Sequence, residues 1–164
     1  MRRRLWLAIG GLLAVGTLMG CSYFGDRGPE FTNWEPELSP DGTTLVYESY
    51  TDGTLELYTR DLATGEEHRL TQNELEDWSP SWSPDGERIA FASLREKNND
   101  IYILVLETGE TRRLTTHESD DINPSWAVDG RIYFNSNRSD VWEIYAIDPD
   151  GSNLSKITET GSQE

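Results

Sequence analysis

Pro80-Ser81-Trp82-Ser83-Pro84-Asp85-Gly86-Glu87-Arg88-Ile89-Ala90-Phe91-Ala92-Ser93 decides the fold. It reads as strand, turn, strand. Pro84 presets φ for a type I turn, and Gly86 supplies the left-handed residue that closes a hairpin with a bulge. The turn recurs 44 residues upstream as Ser39-Pro40-Asp41-Gly42 and 44 downstream, decayed, as Ala127-Val128-Asp129-Gly130. Pro36, Pro80 and Pro124 keep that spacing, and so do Leu38, Trp82 and Trp126. The far end of the unit repeats as Leu70-Thr71, Leu114-Thr115 and Ile157-Thr158. Its last step is 43, because one residue is missing between Gly130 and Ile132.

Each unit predicts four short strands. After the turn comes an alternating segment: Leu45-Val46-Tyr47, Ile89-Ala90-Phe91 or Ile132-Tyr133-Phe134. A third strand follows at Leu57-Tyr58, Ile101 to Leu104 and Ile144 to Ile147. Turns at Thr64-Gly65-Glu66, Thr108-Gly109-Glu110 and Asp150-Gly151-Ser152 then reverse the chain into an outer fourth strand. Beyond the N-terminal segment, no stretch of helical length carries a 3.6-residue apolar period. Four strands in about 40–45 residues is the blade unit of a β-propeller.

The pattern Pro-x-Trp-Ser-Pro-Asp-Gly, Ile-Ala-Phe-x-Ser, Asp-Ile-Tyr, Leu-Thr resembles the WD-like propeller repeat of the TolB family. Pro80 to Thr115 matches it nearly throughout. The first unit departs at Leu38, and the third at Ala127, Val128 and the deletion. The α/β domain that precedes the TolB propeller has no counterpart in this sequence. The expected class is all-β: three four-stranded antiparallel blades over residues 34–158 (about 34–77, 78–121 and 122–158), with a tail at 159–164. Propellers close with about 4–8 blades, and the resemblance implies six. Three blades are therefore half a ring, to be completed by a homodimer or by another chain, or else left open.

The N-terminus reads separately. Arg2-Arg3-Arg4 precedes an apolar run ending in Leu18-Met19-Gly20-Cys21, the layout of a secretory signal peptide over residues 1–20. Gly20 directly before the only cysteine resembles the bacterial lipobox, which implies lipid on Cys21. Residues 21–33 then form the lipidated cysteine and a tether. Anchorage would be through that lipid only. The location would be the periplasmic side of the outer membrane in a cell with two membranes, or otherwise the outer face of the cell membrane. Three of the 14 basic residues lie in the leader, so its removal takes the net charge from −16 to −19. That balance excludes binding of nucleic acid by the protein's own field.

Among candidate site residues, Asn33, Glu76, Asp77, Asp120 and Asp121 precede the blade prolines. They form an expected acidic rim on the loops into each inner strand. A divalent cation at Asp77 and Asp121, or a basic peptide, is what such a rim would take. Trp34 and Trp78, beside these acids, are candidate contact aromatics. Glu56, Asp100 and Glu143 precede the third strand, where turn amides, Arg95 or Arg138 are the expected partners. His68 and His117 have no metal-ligand or triad spacing, and there is no phosphate loop, so no catalytic residue, enzyme activity or resident cofactor is assigned. The expected function is an envelope-anchored module that binds a protein partner. The alternatives are a small molecule, a carbohydrate or a cation at the channel mouth, or a structural remnant of a longer propeller.

Overall fold

The Ser-Pro-Asp-Gly turn closes with its own side chains. Ser83 Oγ donates to Asp85 Oδ1, which also accepts the Glu87 amide at 3.0 Å. The Gly86 amide donates to the Ser83 carbonyl at 2.9 Å, and Gly86 takes a φ of 74°. The Ser83 hydroxyl, followed by the Glu87 amide, pulls the Asp85 carboxyl down to about 2. In the first turn Ser39 and the Thr43 amide bind Asp41 in the same way, at 2.7 and 3.0 Å. The decayed third turn keeps Gly130 at a φ of 88° and the Arg131 amide on Asp129 at 3.0 Å.

The computed structural model describes residues 33–159 apart from residue 52. The expected signal segment, the expected lipobox residues Leu18, Met19, Gly20 and Cys21, the expected tether before Asn33 and residues 160–164 lie outside the described residues. Twelve strands and no helix are present among those described, so no helix there is long and apolar enough to cross a membrane. Blade 1 holds β1 (Asn33–Leu38), β2 (Thr44–Thr51), β3 (Thr54–Asp61) and β4 (Glu67–Arg69). Blade 2 holds β5 (Asp77–Trp82), β6 (Arg88–Ser93), β7 (Asp100–Val105) and β8 (Thr111–Arg113). Blade 3 holds β9 (Asp121–Trp126), β10 (Ile132–Ser136), β11 (Glu143–Ile147) and β12 (Ser155–Lys156). Each blade is one antiparallel sheet with its strands in sequence order.

Apolar alternation gives every blade two faces, and the core lies between blades. Val46 and Leu57 of blade 1 meet Trp82, Ile89, Phe91, Tyr102 and Leu104 of blade 2. Ala90, Ala92, Ile101, Ile103 and Leu114 of blade 2 then meet Trp126, Ile132, Phe134, Tyr145 and Ile147 of blade 3. The Trp at the end of the inner strand thus seals each blade onto its predecessor. Polar bonds reinforce the seams. The Trp82 amide donates to Glu37 Oε2 at 2.9 Å, and the Trp126 amide to Ser81 Oγ at 3.0 Å.

The recurring Leu-Thr has a structural reason. Thr71 Oγ1 accepts the Leu57 amide at 3.0 Å and donates to Glu56 Oε2 at 2.5 Å. Thr115 does the same for Ile101 and Asp100, and Thr158 for Ile144 and Glu143. One hydroxyl satisfies a strand amide, buried in blades 1 and 2, and a buried carboxylate, groups that are costly to leave unpaired when buried. These carboxylates do not pair with Arg95 or Arg138, as the sequence suggested. Their cations come from the fourth strand of their own blade: Arg69 on Glu56, Arg113 on Asp100 and Lys156 on Glu143.

Candidate functional site

The inner strands share a feature that proline rules do not foresee. A residue before proline is normally extended. Glu35, Ser79 and Asn123, each directly before a blade proline, instead have φ values of 46°, 48° and 52°. The ladder slips at the same place in all three blades, so each residue sits in a bulge. The bulges bring the three side chains together: Ser79 Oγ lies 2.8 Å from Glu35 Oε2 and 3.2 Å from Asn123 Oδ1. Backbone strain held at one position of every blade marks this cluster as the candidate site.

Carboxylates surround it. Glu48 of β2 accepts the Ser79 amide at 2.9 Å and is buried. Burial pushes its carboxyl up to about 7; the Ser79 bond opposes that rise, and the charges of Glu35 and Glu76 add to it. Glu37, one step along β1, is also raised by burial, against the Trp82 amide and the Ser81 hydroxyl. The inner strands therefore present an acidic, hydrogen-bond-accepting lining centred on blade 1. Glu48 is particular to that blade, because Ala92 and Asn135 occupy its register position in blades 2 and 3.

The acidic rim expected from sequence is not assembled. Asp77 and Asp121 are buried at the first positions of β5 and β9, not on loops. Asp77 Oδ2 pairs with Arg95 at 2.7 Å, and both oxygens of Asp121 accept from Arg138, at 2.9 and 2.8 Å, so each carboxylate has an arginine for its cation. Asp120 is half-buried and accepts the Asn99 amide at 2.9 Å, while Glu76 and Asn33 are exposed. Among the described residues no group of three or more His, Cys, Asp or Glu could hold a metal ion. Trp34 is half-buried, and Trp78 is half-buried against the core between blades 2 and 3. His68 and His117 are exposed. Two open hollows, of about 500 and about 440 Å³, lie away from the bulges. The larger is bordered by Asn73 and Arg95 and the smaller by Arg88, Arg112 and Arg131; Arg88 and Arg131 are paired with aspartates. Sequence reasoning missed Glu35, Glu48, Ser79 and Asn123. Their signal is positional, since Glu35, Ser79 and Asn123 recur at 44-residue spacing before proline.

Three sheets in series, packed face to face and joined along their first strands, define a β-propeller of antiparallel four-stranded blades. The TolB β-propeller domain model matches residues 31–164, and the chain belongs to that family. A putative TolB from Agrobacterium tumefaciens is 30% identical with a TM-score of 0.72, over 77% of this chain and 46% of that one. TolB from Acinetobacter baumannii is 27% identical with a TM-score of 0.69, over 79% of this chain and 33% of that one. The chain thus spans less than half the length of either. An oligogalacturonate lyase from Vibrio parahaemolyticus, 18% identical with a TM-score of 0.63 over 79% of this chain and 42% of its own, shares the fold alone. No curated protein sequence matches the chain.

Proposed function

We propose that this protein is a lipid-anchored envelope module whose propeller binds a protein partner, without chemistry of its own, through the acidic lining of its inner strands. The observation that carries the reading is the convergence of Glu35, Ser79 and Asn123 at strained bulges beside Glu48. Such a lining suits a basic or amide-rich segment, which supplies donors and positive charge where acceptors and carboxylates accumulate. Membership of the TolB propeller family supports a binding role, and the leader with its Gly20-Cys21 junction supports anchorage.

The test is cross-linking in the intact envelope, followed by purification of the full chain in detergent. Wild type is expected to carry one dominant basic partner. E35Q/E76Q, with unchanged Tm, is expected to lose it by about tenfold, and raising salt from about 50 to about 200 mM to weaken capture likewise. In the same cells Cys21→Ser should move the chain out of the membrane fraction. Capture indifferent to both the glutamates and salt would overturn the site, and C21S remaining in the membrane would overturn the anchor.

A further inference from the structure

Among the described residues, the two ends of the blade series are uncovered in a complementary way. Leu57 and Ile101, at one position of β3 and β7, are fully buried because the next blade covers them, whereas Ile144 at the same position of β11 is 38% exposed. Ile157 is 48% exposed, while its counterpart Leu114 is buried. Ser125 is exposed where Ser81 is buried beneath the Trp126 amide. At the other end Leu38 is 49% exposed, where Trp82 and Trp126 are buried against the preceding blade. Leu62 is exposed as well. The back of blade 3 thus has the positions that elsewhere receive a blade, and the front of blade 1 has the positions that elsewhere are received.

We propose that a second copy of this chain covers both faces at once, giving a two-fold homodimer that closes one six-bladed ring. In each seam blade 3 of one copy receives blade 1 of the other, by the contacts that join blades 1 to 2 and 2 to 3. Leu38 takes the place of Trp82 and Trp126, Ser125 Oγ receives the Leu38 amide, and Ile144 with Ile157 packs behind them. The polar series on the inner strands continues across the seam. Asn123, 3.2 Å from Ser79 within one copy, meets Glu35 of the other, and its side-chain amide is a donor for that carboxylate. The area suffices. Four strands about 4.8 Å apart and about 17–20 Å long make a face of about 300–400 Å². Two seams with two sides each bury about 1,200–1,600 Å², within the range of stable specific interfaces. A head-to-tail contact of this kind either closes or runs on as a filament. The sedimented mass separates the two.

The experiment is sedimentation of the full chain in density-matched detergent at micromolar concentration, with two variants at exposed positions, Ile144→Lys and Leu38→Lys. Wild type is expected at twice the mass of one chain and each variant at half of that, with unchanged circular dichroism. An equimolar mixture of the two variants is expected to recover a dimer, because one seam between them has both of its faces intact. A folded wild-type monomer overturns the proposal, as do open filaments or a stoichiometric foreign chain that is lost in both the Leu38→Lys and the Ile144→Lys variants while E35Q/E76Q retains it. Retention of the dimer by either variant alone overturns it too, since a face-to-face contact of like blades would survive one of them.

Discussion

Burial beneath Ser79 makes Glu48 a weak acid, and the sign of its effect on stability is fixed. Its folded pKa of about 7 lies above its ordinary value of 4.5, so folding favours the protonated form. The stabilisation is fully present below about pH 4.5 and is lost as pH rises through 7. Glu48→Gln removes that dependence and keeps an acceptor for the Ser79 amide. Wild type is expected to lose on the order of 1–3 kcal/mol relative to E48Q between pH 4.5 and 8, read by urea unfolding. Parallel pH profiles would contradict it. Gly86 gives a second residue-scale outcome, because its left-handed φ disfavours any Cβ. Gly86→Val is expected to cost about 1–2 kcal/mol, seen as a lower Tm. The turns were legible in the sequence because proline, aspartate and glycine each carry a local conformational instruction. The bulges were not, because Glu, Ser and Asn share no such instruction and the following proline argues for extended backbone.

At the scale of strands, the arginines explain what the sequence misassigned. Glu76-Asp77 and Asp120-Asp121 look like solvated acidic pairs, yet only the second member of each enters the strand and is buried. The clue was a covariation inside one chain. Asp77 lies opposite Ser93 with Arg95 two residues on, and Asp121 lies opposite Ser136 with Arg138 two residues on. Asn33 lies opposite Ser49, and Thr51 stands where the arginine would be. Acid and arginine come together or not at all. Arg138→Thr is therefore expected to cost about 3–5 kcal/mol by stranding a buried charge. D121N/R138T, which copies blade 1, is expected to recover most of that in thermal unfolding. Equal loss in the single and double variants would contradict the pairing.

For the whole molecule, the 44-residue repeat makes the blade architecture and the inner Trp core legible in the sequence alone, because the blades bury equivalent positions against one another. Among the described residues, blades 1 and 3 each keep one face that no other blade covers. Amide exchange of the purified full chain addresses this directly, because the amides of Leu57, Ile101 and Ile144 make the same bond to Thr71, Thr115 and Thr158. Only their cover differs. If every blade face is covered by a blade, the Ile144 amide should be protected within about an order of magnitude of the Ile101 amide. Protection of Ile101 with rapid exchange at Ile144 would show that the arc is open and would contradict the closed ring.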